Sequence, residues 1–379
     1  MDYDIKIALQ ISIFLKSILR CKQFVILHEL NFYIILSLIV LENTLLINVT
    51  HFMRRSEPGA HSIERLFEDI RSHLPGDIRV TVCENKFPSK GLVKRIYDMI
   101  RAGRHQGDVN HITGDVHFLT YLLNHRRTIL TIHDCVLLER FYGIKHWLLW
   151  LFWYWLPSRR CACMTVISEA TRQQALRHLK CDPAKIHVIY NNVSEEFRPF
   201  PKTFNAISPR ILQIGTGPNK NIERVAEALS GMDCRLVIIG HLSLKQIHIL
   251  KYFQIHYENH VNLSRQALVE QYNLCDFVVF VSIYEGFGLP IVEANAVGRP
   301  VVTSNIWSMP EIARDAACLV DPFDVASIRG GLDKVIGDPA YRAHLVQAGF
   351  KNVKRFEVNF IAGQYAQLYR NMYALGNMK

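Results

Sequence analysis

Short unbroken apolar runs alternate along this chain with longer amphipathic stretches. In the first half, residues 45–49 (LLINV), 79–82, 109–112, 128–132, 164–167 and 186–193 read as strands; in the second, 210–215, 234–240, 276–281, 300–304 and 318–321 do so. Runs such as Phe277 to Val281 (FVVFV) show no alternation of apolar and polar residues. They therefore suit parallel strands buried on both faces. Strands separated by helical patterns predict a doubly wound parallel α/β architecture. A polar, proline-bearing stretch over 198–209 divides the chain into a unit at 45–198 and a unit at 199–355. The remainder, 356–379, carries a helical stripe of Phe360, Ile361, Tyr365, Leu368, Tyr369 and Tyr373.

Residues 1–44 stand apart. Two apolar stretches, 5–19 and 24–41, lie there, the second interrupted by His28, Glu29 and Asn31. A span of a bilayer needs about 20 predominantly apolar residues, so a poor anchor, an interfacial segment and upstream sequence attached by a mis-assigned start all remain open. A further apolar stretch, 146–156 (HWLLWLFWYWL), places Trp147, Trp150, Trp153 and Trp155 between Lys145 and the pair Arg159, Arg160. A helix apolar all round is either packed inside protein or in contact with lipid.

At 379 residues and 49% hydrophobic, the chain can bury two cores. A net charge of +10 suits an anionic membrane surface, phosphorylated substrates or plain solubility. The basic residues are dispersed without an aromatic-basic motif, which speaks against nucleic acid. The 9 cysteines have no CxxC pairing and read as buried free thiols of a reducing cytosol, with neither a disulfide frame nor a zinc site.

Chemistry concentrates at the ends of strands. After 277–281 comes a loop with Gly286 and Gly288, then Pro290 at a helix start, flanked by Glu285 and, within the first turn or so, Glu293. Glycines let backbone approach a ligand, and helix N-terminal amides at the carboxyl edge of a parallel sheet favour phosphate. The loop Gly215-Thr216-Gly217-Pro218-Asn219-Lys220 follows the first strand of the second half and carries one cation. In the first half, Gly114, Asp115 and His117 follow one strand, and His133-Asp134 ends the next. Ser168 is placed to cap a helix, and Pro58-Gly59-Ala60 predicts a turn before another, with Arg54 and Arg55 beside it.

Glu285-Gly-Phe-Gly-Leu-Pro-Ile-Val-Glu293 resembles the Glu-x7-Glu signature of the retaining glycosyltransferases of family 4 (group 1), and the resemblance continues through Ala294, Gly298, Arg299, Pro300, Pro310 and Glu311. His133-Asp134 resembles the family's His-Asp dipeptide. Covering residues 44–375, the resemblance implies the GT-B fold: two Rossmann-like domains facing across a cleft, with the last helix crossing back to the first. It implies retaining transfer of a hexosyl group from a nucleotide sugar to a hydroxyl. Glu293 would hold the ribose, and Glu285 the donor sugar, with the backbone of Gly286, Phe287, Gly288 and Leu289 on sugar and diphosphate. Gly215, Thr216, Gly217 and Lys220 would meet the diphosphate, His133 would face donor and acceptor, and Asp115, at its strand end, would orient or deprotonate the acceptor hydroxyl. The leaving phosphate would take the acceptor proton. No metal or other cofactor is expected, and Asp2-Tyr3-Asp4 reads as chance.

Two departures stand out. Thr216 occupies the place of the family's usual arginine, which shifts charge neutralisation to Lys220 and backbone amides, or to Arg224 or Arg265. Asn192 and Ser194 replace glycine and aspartate in the Asn-Gly-Val-Asp turn. The basic balance and the Trp-rich run favour a lipid-linked saccharide acceptor at the cytoplasmic membrane face, as in lipopolysaccharide or surface polysaccharide assembly. A nucleotide-sugar epimerase or phosphorylase, and a non-catalytic nucleotide-sugar-binding membrane scaffold, are the competing readings.

Overall fold

The computed structural model describes residues 46–55 and 62–377. The expectations for residues 1–44 and for the turn at Pro58-Gly59-Ala60 lie outside the described residues. Residues 47–379 form one compact unit built on two sheets. The first sheet contains β1 (Ile47–Met53), β2 (Ile78–Glu84), β3 (Val109–Ile112), β4 (Thr128–Ile132), β5 (Cys163–Val166) and β6 (Ile186–Val188), in the order β2-β1-β3-β4-β5-β6. The second contains β7 (Arg210–Ile214), β8 (Arg235–Ile239), β9 (Tyr257–His260), β10 (Phe277–Phe280), β11 (Val301–Ser304) and β12 (Cys318–Val320), in the order β12-β11-β10-β7-β8-β9. Every pairing is parallel.

Central strands are buried on both faces, as the unbroken apolar runs require: all residues of β4, β5, β10 and β11 are buried. β9 is the strand the pattern does not reveal. It lies at a sheet edge, and its sequence YENH carries no apolar run.

The helices used below are α1 (Ser62–Ser72), α2 (Leu92–Gly103), α3 (Gly143–Leu149), α4 (Glu169–Leu179), α5 (Ile222–Leu229), α6 (Arg265–Leu274), α7 (Leu289–Val297), α8 (Met309–Ala313) and α9 (Val358–Asn377). The chain passes between the halves twice. The passages lie side by side, where the Val193 amide donates to the Phe356 carbonyl at 2.8 Å. α9 then packs on the first sheet, burying Ile361, Tyr365, Tyr369 and Met372 against Phe67, Val49 and Ile129. Phe360, counted in the helical stripe, instead lies on the open side, 55% exposed.

Behind α9 sits a polar chain inside the apolar core. The Tyr369 hydroxyl bonds Nδ1 of His111 at 2.7 Å and Nε2 of His51 at 2.9 Å, and Nε2 of His111 bonds Oγ1 of Thr131 at 2.7 Å. Thr131 in turn meets Thr165 at 2.6 Å. Burial drives both imidazoles toward the neutral form, with His111 lowered to about 3. His111 is thus a core residue.

The Trp-rich stretch is helical but wider than an α-helix: Trp150–Trp155 forms a π-helical segment after α3. Trp150 donates its indole N–H to the His178 carbonyl at 2.8 Å, and Trp153 lies under the Arg95 guanidinium. These two rings pack against the first core, whereas Trp147 remains 52% exposed. Among the described residues no helix is long and apolar enough to cross a membrane. The described cysteines are all free thiols, and all but Cys181 are buried.

Candidate active site

The loop from β10 to α7 is held by its carbonyls. Ser308 Oγ donates to the carbonyls of Glu285 (3.0 Å) and Phe287 (2.8 Å), while the Gly286 carbonyl accepts from Ser168 Oγ (2.7 Å) and Thr171 Oγ1 (3.2 Å). In a trans peptide the N–H points opposite to the C=O. The amides of Gly286 and Gly288 therefore point away from Ser308, and that of Phe287 points away from α4. Gly288 has φ +106 as the residue before α7, a conformation that costs other residues. Gly286 packs so close to the His133 carbonyl oxygen that any side chain there would collide with it. The Phe287 ring faces inward, edge-on to Phe356 at 5.5 Å, so only its backbone is turned to the site.

Glu285 points at the second-half loop. Its Oε1 accepts from Lys220 Nζ at 2.6 Å and from Asn219 Nδ2 at 3.1 Å. The Lys220 ammonium also sits 4.5 Å from the Phe280 ring centroid. Gly215, at φ +86, leaves room for the Lys220 side chain to lie across it; a Cβ would approach Lys220 Cε to 2.8 Å. Gly217 precedes the turn that carries Asn219 and Lys220, and the Thr216 carbonyl is held by Gln246 at 2.9 Å.

Glu293 falls on the second turn of α7, because the helix already begins at Leu289. Its carboxylate accepts from the buried Tyr272 hydroxyl at 2.5 Å. Burial raises its pKa, opposed by that hydrogen bond and by the charges of Arg265 and Lys220. Glu293 lines a cavity of about 410 Å³ between the halves, with Arg265, Gly215, Gly240 and His241 from the second half and Arg65 and Asp69 from the first. Arg265 closes one wall, pairing with Asp69 at 3.4 Å and with Glu196. Arg224 does not reach the cavity: it bonds Asn221 at 3.0 Å and stacks on Phe323.

From the first sheet, β4 delivers His133 to this junction. Its Nε2 donates to the Thr113 carbonyl at 2.8 Å, which leaves Nδ1 as the ring's acceptor. Burial raises the pKa of the neighbouring Asp134 carboxyl, against a hydrogen bond from the Val136 amide, and the charges of Asp115 and Glu285 raise it further. Asp115 is half-exposed and lies 3.7 Å from the Arg54 guanidinium. It lines a second cavity, of about 340 Å³, with Arg55, Lys90, Arg95 and Trp153. His117 does not join it, being buried with Nδ1 donating to the Trp153 carbonyl at 2.8 Å.

A cavity with a buried carboxylate, a cation and glycine-shaped backbone at facing strand ends fits an anionic, hydroxyl-rich ligand. Residues 51–197 match the model of glycosyltransferase family 4, and residues 195–352 that of the glycosyl transferases group 1. The chain belongs to this glycosyltransferase family. The O-antigen chain mannosyltransferase B of Escherichia coli is 38% identical over 92 residues, which are 24% of each chain. The serotype-specific mannosyltransferase WbdA of Escherichia coli is 26% identical over 248 residues, covering 58% of this chain and 30% of the relative. The chain thus spans under a third of the length of these relatives. Its fold is GT-B, similar to Anabaena HepE crystallised with UDP-glucose, with a TM-score of 0.68, 17% identity, and 86% and 100% of the two chains covered.

The structure adds contacts at this junction that the sequence does not show. Glu311 accepts from the backbone N–H groups of Glu169 (2.7 Å) and Ala170 (3.1 Å), capping α4 from the other half. Asn219 and Tyr272 orient the two glutamates. The sequence shows Glu311 only as part of the family resemblance, with no role attached to it. Among the described residues no group of three metal-ligating side chains gathers.

Proposed function

We propose that this glycosyltransferase moves a hexosyl group, with retention of configuration, from a nucleotide sugar to a hydroxyl of a saccharide acceptor in surface polysaccharide or lipopolysaccharide assembly. The single observation that carries the reading is the cavity between the halves in which Glu293, Gly215 and Arg265 meet, next to the Lys220–Glu285 pair. Two acceptor-only carboxylates at opposite ends suit two sets of hydroxyls: Glu293 for the ribose, Glu285 for the sugar. Lys220, the loop amides of Gly286 to Leu289 and Arg265 supply the positive field for the leaving diphosphate, Arg265 standing in for the arginine that Thr216 replaces. His133 uses Nδ1 to accept from a sugar hydroxyl, Asp115 orients the acceptor hydroxyl, and the leaving phosphate takes its proton. The residues need no metal for this sequence of events. Mannose is the favoured sugar, since both relatives are named mannosyltransferases, and the bound UDP-glucose of the HepE structure supports a nucleotide-sugar donor. The acceptor is lipid-linked and the enzyme works peripherally on an anionic, cytoplasmic membrane face.

Incubation with a panel of nucleotide sugars, with and without a lipid-linked saccharide, tests this. Nucleotide release that depends on acceptor and an axial product linkage are expected. Release that ignores acceptor points to an epimerase or phosphorylase, and binding of a nucleotide sugar without release points to a non-catalytic scaffold.

A further inference from the structure

Helix α2 carries its apolar residues on the wrong side for a globular core. Leu92, Val93, Ile96, Tyr97 and Ile100 are 72%, 80%, 42%, 45% and 44% exposed, and their spacing makes one continuous stripe. The opposite side meets the protein through Met99 and the buried Ala102 and Asp98. Asp98 is the only acid of the helix, and it is consumed internally, accepting from the Lys86 amide at 2.9 Å. Cations flank it: Lys94 and Arg101 stand on one side of the helix next to Tyr97, and Lys86 and Lys90 lie in the segment that leads into it. Several of these cations rest on aromatic faces, with the Lys86 ammonium 5.3 Å from the Tyr97 ring and Lys94 5.9 Å from Phe87. An apolar stripe edged by lysines and arginines complements anionic headgroups over acyl chains.

A second exposed apolar patch lies on and around α3. Tyr142, Ile144, Trp147, Leu148 and Phe152 are 84%, 74%, 52%, 42% and 51% exposed, with Lys145 among them. Helices α2 and α3 both border one opening. Arg95 of α2 lies 4.9 Å from the Trp153 ring, and Arg95, Lys90, Leu149 and Trp153 line the cavity into which Asp115 opens.

We infer that the faces of α2 and α3 dock the enzyme on an anionic lipid bilayer, with the Asp115 cavity held open at the membrane surface. The inference rests on the proposed lipid-linked acceptor only for its purpose. The docking itself follows from the exposed stripe and its charge. The surface is also distinct from the Trp150 and Trp153 rings, which are packed inward.

The test is co-sedimentation of the full chain with vesicles of phosphatidylglycerol and phosphatidylcholine, against phosphatidylcholine alone. The wild type should bind only the anionic vesicles, and less as salt rises. Val93→Glu with Ile96→Glu should lower the partition coefficient by about tenfold or more, and Lys94→Gln by about fivefold. Both variants should keep the wild-type melting temperature, monomer mass and turnover on a water-soluble acceptor. A wild type that ignores anionic vesicles overturns the inference and the membrane reading together, leaving sugar transfer intact. Vesicle binding equal in wild type and Val93→Glu/Ile96→Glu overturns this surface alone. A lowered melting temperature with unchanged vesicle binding shows the stripe covered by this chain's own residues 1–44, and a changed mass shows a second copy; each result overturns the inference.

Discussion

Lys220 and Glu285 meet at 2.6 Å across the carboxyl ends of β7 and β10, so the one loop cation is already aimed at the glycine loop before any ligand binds. A diphosphate entering there competes with Glu285 for the ammonium and frees that carboxylate for sugar hydroxyls. Lys220→Ala should lower kcat by about 100-fold to 1000-fold, the size of loss seen when one preorganised electrostatic partner of a developing charge is removed. Glu285→Gln should weaken turnover with less effect on binding of the nucleoside diphosphate alone. Steady-state kinetics beside calorimetric titration separates the two.

Glu293, which we propose holds the ribose, is also a liability. A buried carboxylate with a raised pKa destabilises the fold while ionised, since the folded state prefers the proton between the ordinary carboxylate value and the raised one. Glu293→Gln keeps an oxygen for the Tyr272 hydroxyl and removes the charge. It should melt higher than wild type by about 1–2 kcal/mol of stability and bind nucleoside diphosphate about 10-fold to 100-fold more weakly. Scanning calorimetry with and without nucleotide reads both effects.

Glu311 ties the halves together by capping α4 with two backbone bonds. Glu311→Ala should cost about 1–2 kcal/mol in denaturant unfolding, in the range for a lost cap, and raise the donor KM more than it lowers kcat. Glu311→Gln, which keeps one acceptor, should fall between.

Gly286→Ala places a methyl group against the His133 carbonyl. It should separate the strand ends that carry Glu285 and His133 and remove activity by at least about tenfold, consistent with the cost of small misplacements. Small-angle scattering should show a larger radius of gyration; an unchanged radius with full turnover would refute the contact's role.

Acid should unfold this protein early. His111 and His51 are held neutral in the fold by burial, so the unfolded state binds more protons as pH falls below about 6.5. Stability should then drop with pH by up to about 1.4 kcal/mol per unit for each histidine, for His111 down to about 3. The raised carboxyl of Glu293 offsets part of this. In His111→Asn the slope of unfolding free energy against pH should be shallower, read by denaturant titrations at several pH values.

The parallel sheets could be read from the chain because strands covered on both faces have no polar register to disguise them, as Phe277 to Phe280 illustrate. β9 escaped because an edge strand such as YENH can stay polar. Similarly, Glu285 and Glu293 declared themselves through a local loop grammar, with glycine and proline at fixed offsets. Asn219, Tyr272 and Glu311 act on partners 66, 21 and 142 residues away, and no local pattern encodes such meetings. The same holds for His111, over which Tyr369, 258 positions later, closes.

That closure has a consequence for how the molecule is made. The first sheet's apolar face is sealed by the final helix, so on the ribosome the amino-terminal half must wait, incompletely covered, through synthesis of the whole second half. Chaperone demand during translation, and intolerance of carboxyl-terminal truncation beyond Tyr369, are built into the order in which the chain is threaded.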